Sequence, residues 1–122
     1  MPILSDYDRA VAAMESGNYE EVRKLAEPMA RSGHAGAQCL IASLYHLGLG
    51  VEAHGESAVY WYRLAGGQNE RSGEISGLAY HNLATLYATG MPGVDRNVDE
   101  ARRYLNLARE LGFSIFRSKS SE

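Results

Sequence analysis

One stretch of this chain is written twice. Ala37, Ala42, Leu44, Tyr45 and Gly48 recur as Ala79, Ala84, Leu86, Tyr87 and Gly90, an offset of 42 residues. Gly50 and Val51 recur as Gly93 and Val94, and Ala58, Trp61 and Ala65 as Ala101, Tyr104 and Ala108, at an offset of 43. The extra residue arises because Met91-Pro92 replaces Leu49 alone. A period between 20 and 50 residues marks stacked supersecondary units, each burying its apolar face on the next. The N-terminal part follows the plan more loosely: Gly17-Asn18-Tyr19 through Val22, Leu25 and Met29 matches the second half of a unit, and Val22 precedes Ala58 by 36 residues.

Each half-unit has helical periodicity. Ala37, Ile41, Leu44 and Tyr45 fall at i, i+4, i+7 and i+8, one face of a helix. Ala58, Trp61, Tyr62 and Ala65 make a matching stripe on the next one. Glycine clusters separate the segments. The pattern predicts six helices at about 6–16, 19–32, 36–47, 56–65, 78–89 and 98–111. Ser5 with Asp8, Asn18 with Glu21 and Asn97 with Glu100 supply N-terminal caps. Pro28 should kink the second helix or end it early. Gln68–Gly77 is polar and glycine-containing, so it reads as a surface loop that tolerates shortening by six residues. Trp61 is expected to be the core anchor of the central unit, with Tyr62 beside it and only Tyr60 of that run exposed.

Size and charge narrow the functions. A chain of 122 residues with 45% hydrophobic and 22% charged residues is one domain with room for a core. Net charge is −3, so no general basic field draws it to nucleic acid or anionic lipid. Cys39 is the one cysteine and forms neither an intramolecular disulfide nor a zinc site by itself. No apolar run reaches the ~20 residues of a membrane span. The start, MPILSDYDRA, lacks a signal-peptide pattern, so a cytoplasmic location is expected.

The string Ala37-x-x-x-Ile41-Ala42-x-x-Tyr45-x-x-Gly48-x-Gly50-Val51, followed by Ala58-x-x-Trp61-Tyr62-x-x-Ala65, resembles a Sel1-like repeat. The run from Leu25 to Ala35 resembles the lead-in common in bacterial members. The resemblance spans about 6–112. Departures are His54 for the usual Asp, Ser57 for Lys, Gly66 for Ala, and Tyr104-Leu105 for Trp-Tyr. It implies an all-α fold: an α/α superhelical solenoid of three helix pairs, one tetratricopeptide-like unit followed by two Sel1-like repeats. The units would be about 5–34, 35–77 and 78–112 of a single domain, with a tail at 113–122. It also implies protein–protein scaffolding without shared catalytic residues or cofactors.

Other chemistries have weaker support. Gly48–Gly55 lacks the dinucleotide-binding spacing and follows a helix, so it reads as a turn. Glu52, His54 and Glu56 alternate around that turn but lack the i, i+4 helical pairing that fixes two metal ligands, so no metal site is expected. Arg102, Arg103, Arg109, Arg117 and Lys119 are diluted by acidic neighbours and read as a solvated helix and tail. A small-ligand or hydrolytic reading would need Cys39, His46 and His81 to converge around one pocket.

The remaining candidate is the concave wall lined by the first helix of each unit in tetratricopeptide-type solenoids. By position, Tyr7, Val11 and Met14 line it from the first unit, Cys39, Ser43 and His46 from the second, and His81, Thr85 and Ala88 from the third. This mix of aromatic, apolar and small polar groups suits a docked peptide or partner helix. An adaptor is therefore expected; an immunity or antagonist protein covering an effector is the related alternative. His46 should matter most to binding, and Arg63, assigned to the outward side, far less. Phe113, Ile115 and Phe116 are apolar and are candidates for self-association.

Overall fold

A computed structural model describes residues 3–68 and 73–112. Phe113, Ile115 and Phe116 lie outside the described residues. Six helices follow one another: α1 (Asp6–Glu15), α2 (Tyr19–Arg31), α3 (Ala35–Leu47), α4 (Gly55–Gly66), α5 (Glu74–Thr89) and α6 (Val98–Glu110). Each packs on the next, and the first helices of successive pairs, α1, α3 and α5, also touch side by side. The result is an all-α solenoid of helix pairs.

Side-chain caps start five of these helices. Ser5 Oγ accepts from the Asp8 N–H at 3.0 Å, Asn18 Oδ1 from Glu21 at 3.3 Å and Asn97 Oδ1 from Glu100 at 3.0 Å. Two further caps are histidines. His34 Nδ1 accepts from the Ala37 N–H at 3.1 Å, and His54 Nδ1 from the Ser57 N–H at 3.2 Å. His54 and Asn97 occupy equivalent places, with nearly the same backbone angles, φ −147° and −149°. The family's usual Asp at position 54 is replaced by another acceptor, so the helix start survives the substitution.

Two expectations are corrected. The early end expected at Pro28 does not occur, since α2 runs on to Arg31. Pro28 stands in the last turn, where its own carbonyl takes both the N–H and the hydroxyl of Ser32, at 3.1 and 3.0 Å. The fifth helix begins at Glu74 rather than 78, so residues 74–77 are not loop. Gly73 turns the chain at φ +70°, the Gly77 N–H reaches the Gly73 carbonyl at 2.8 Å, and Ser76 Oγ donates to the Ala65 carbonyl at 3.3 Å. Ser76 and Gly77 are buried. Their small size hides a helix start from propensity, yet lets this turn pack on the end of α4. Within Gln68–Gly77, shortening is therefore confined to the residues before Glu74.

The core has two clusters. Ala10, Ala13, Val22, Ala26, Ala30, Ala37, Ile41 and Leu44 join the first pair to α3. Cys39, Ala58, Tyr62, Ala79, Leu83, Leu86 and Tyr104 join α3 and α4 to the last pair. Tyr45 and Trp61 are partly buried and touch both clusters. Tyr62 is 1% exposed and heads the fully buried side chains. Trp61 therefore bridges the clusters, and Tyr62 is the residue sealed inside.

Glycine sets the approach between units. A methyl at Gly36 would stand 2.6 Å from the Tyr7 ring, and one at Gly66 2.6 Å from Tyr80. Gly66, a departure from the family pattern, thus makes room for the next unit's tyrosine. The turn after α5, closed by reciprocal 2.9 Å bonds between Met91 and Val94, hooks onto α4: the Gly55 N–H donates to the Pro92 carbonyl at 2.9 Å.

Gly55→Ala should therefore destabilise the protein although alanine favours helix by about 1 kcal/mol. Its methyl would lie 2.7 Å from the Pro92 carbonyl oxygen and 2.6 Å from Val94 Cγ2. A loss of about 1–3 kcal/mol is expected from overpacking against backbone. Gly67→Ala, whose methyl would come no nearer than 3.4 Å to anything, should lie within about 1 kcal/mol of wild type. Urea denaturation of both variants measures this; equal stabilities would contradict the hook.

Candidate functional site

Two helices are joined at the Tyr62 hydroxyl. It stands 3.2 Å from Ser43 Oγ and 3.1 Å from His46 Nδ1, both on α3. The His46 ring meets the Tyr62 ring edge-on at 5.7 Å. Burial pushes the phenol up to about 12, so near neutrality it is an uncharged hydrogen-bonding group. Burial also lowers the His46 pKa. Ser43 and His46 thus direct polar atoms inward to the joint between α3 and α4.

The other expected wall residues are distributed differently. Tyr7 stacks near His34, ring centroids 4.7 Å apart, and lines a hollow of about 370 Å³ with Gly36, Gln68 and Ile75. That hollow draws on α1, α3 and α5 at their N-terminal ends. Gln68 Nε2 donates to Gln38 Oε1 at 3.1 Å, and Gln38 Nε2 to the Ala30 carbonyl at 3.0 Å, which orients the amide at its rim. Val11 is half-buried on α1, and Met14 packs on the first cluster. Cys39 is 6% exposed inside the second cluster and presents almost no surface to a partner. His81 and Thr85 line a separate hollow of about 360 Å³ between α5 and α6. His81 lines that hollow without Cys39 or His46.

Arg63 differs most from expectation. Its Nε donates to the Tyr104 hydroxyl at 2.7 Å and its Nη2 to the Tyr87 hydroxyl at 3.2 Å. The Tyr104 ring is stacked between Tyr80 and Tyr87, with centroids 5.8 Å apart on each side. Arg63 therefore ties α4 to both helices of the last pair, and Arg63→Ala is not a neutral surface change. Beside it runs a cleft of about 450 Å³ between Val59, Tyr60 and Leu64 of α4 and Tyr87 and Val94 of the next unit. The signal for this cleft is the i, i+3, i+4, i+7, i+8 series Glu56, Val59, Tyr60, Arg63 and Leu64, which the repeat alignment passes over.

The Sel1 repeat family model matches residues 35–69 and 77–113, more than half of the chain. The chain belongs to the Sel1 repeat family. Comparison with curated proteins and with solved structures gives no match. The first matched repeat contains α3–α4, and the second contains α6 and all of α5 but its first turn. Sel1 repeats are generally protein-interaction modules, and the family is typically a non-catalytic scaffold. Within the first matched repeat, the Glu52–His54–Glu56 alternation has a structural use: His54 Nδ1 lies 2.8 Å from Ser57 Oγ while capping α4. Among the described residues no three His, Cys, Asp or Glu side chains gather as a metal site, and no helix is long and apolar enough to cross a membrane.

The joint makes a pH prediction. The folded His46 pKa lies below the ordinary 6.5, so as pH falls the unfolded chain takes up this proton first. The stabilising contribution is complete above that value and is lost as pH falls through the lower, folded pKa. Stability should thus decline on acidification below about 6.5, and His46→Gln should flatten the decline. Denaturant melts between neutral and mildly acid pH test this; parallel profiles for both proteins would contradict it.

Proposed function

We propose that this Sel1-repeat protein is a non-enzymatic adaptor that binds a peptide segment of a partner protein along the wall of first helices, α1, α3 and α5. The observation that carries the reading is the hollow where Tyr7, Gly36, Gln68 and Ile75 converge from three successive helix pairs. A surface built jointly by several units recognises shape, and it is lost if their spacing changes. Tyr7, packed over the buried Gly36, offers an aromatic face, and the Gln68 amide suits hydrogen bonding to a passing main chain. Ser43 and His46 support this wall from within through Tyr62.

Peptide display on the immobilised protein, followed by calorimetry of the selected peptides, tests the proposal. Tyr7→Ala should weaken binding at least about tenfold, roughly 1.4 kcal/mol, with helicity unchanged. Arg31→Ala, exposed on α2 and paired only with Glu27 of its own helix at 3.7 Å, should change affinity less than about twofold. His46→Glu is a poor probe, because it would place a charge against the Tyr62 joint. The reverse ranking of Tyr7 and Arg31 would contradict the wall as the binding surface.

A further inference from the structure

The outer face of α4 carries two charges that its own helix does not neutralise. On α1, α2 and α6, acids pair with arginines three or four residues away: Asp6 with Arg9, Glu27 with Arg31, Asp99 with Arg102, and Glu100 with Arg103. Glu56 and Arg63 are seven residues apart, about 10 Å along the axis, too far to pair with each other. Among the described residues neither has an opposite charge within ion-pair distance. Two full turns also place them on one face. Between and beside them stand Tyr60, 58% exposed, and Leu64, 39% exposed, next to the cleft of about 450 Å³.

We propose that this face is a self-complementary interface and that its partner is a second copy of the chain. An antiparallel pair of α4 helices about a two-fold axis near Val59 and Tyr60 brings Glu56 of each copy opposite Arg63 of the other. The same operation repeats the contact, as an isologous dimer requires. The guanidinium is already held: Nε and Nη2 bond the Tyr104 and Tyr87 hydroxyls, which leaves the Nη1 edge toward an incoming carboxylate. Tyr60 lies near the axis and meets its own copy. Leu64 falls opposite the start of the other α4, where Val94 supplies an apolar wall of the cleft. This surface is separate from the wall of first helices, so the dimer would present two such walls, and its failure would leave the adaptor reading standing.

Sedimentation velocity over a concentration series on the purified chain tests the proposal, with circular dichroism to check folding. The wild type should form a dimer that weakens with added salt. Glu56→Arg and Tyr60→Asp alter exposed positions outside the Arg63–Tyr104 contact, and each should raise the dimer dissociation constant at least about tenfold. Glu56→Arg/Arg63→Glu should restore dimerisation relative to Glu56→Arg, since it rebuilds both cross pairs with signs exchanged; if that double variant does not fold, the two single variants decide. A wild type that stays monomeric throughout, a dimer that either single variant leaves intact, or a folded double variant that does not recover overturns the proposal.

Discussion

The structure depends on how closely its helices approach. Alanine and glycine occupy the seams, and tyrosine rings fill the space they leave. Gly36 lies against Tyr7, Gly66 against Tyr80, and Gly55 against the turn carrying Pro92 and Val94. In each case an added methyl would stand under 3 Å from its neighbour. Burying apolar surface supplies the driving force, but these short contacts set the spacing. Spacing is what a repeat protein turns into function, because a wall assembled from several units has the right shape only if they stack at one distance.

Hydrogen bonds from a few long side chains then fix the orientation of the units. Tyr62 gathers Ser43 and His46 at one hydroxyl, and Arg63 holds Tyr104 and Tyr87. Both residues stand on α4, so the central helix is tied to its own pair and to the following one. In the first joint burial keeps the Tyr62 phenol neutral and favours the uncharged form of His46. The Sel1 family assignment agrees with a surface specified by shape.

Much of this fold is legible in the sequence because its signals are local. The recurrence of Ala37–Gly48 as Ala79–Gly90, the caps at Ser5, Asn18 and Asn97, and the glycine punctuation each act within a turn or two of helix. What escapes is either unusual or distant. Histidine is a rare cap, so His54 reads as a loop residue until its Nδ1 is seen accepting the Ser57 N–H. The first turn of α5 holds the weak helix formers Ser76 and Gly77, which are buried there. Trp61 outweighs Tyr62 in size, yet Tyr62 faces inward. Of the expected wall, Ser43 and His46 do meet, whereas Cys39 is in the core and His81 and Thr85 line another hollow. Arg63 reaches Tyr104, 41 residues away, a contact no helical periodicity encodes.

The proposed adaptor binds its partner on the wall of first helices. Backbone amide NMR of the labelled protein, titrated with a display-selected peptide, tests it most directly. The account predicts that the largest shift changes fall on α1, α3 and the start of α5 around the Tyr7 hollow, with α2 and α6 little affected. Shift changes concentrated on the exposed faces of α2 and α6, with the Tyr7 hollow unmoved, would contradict it.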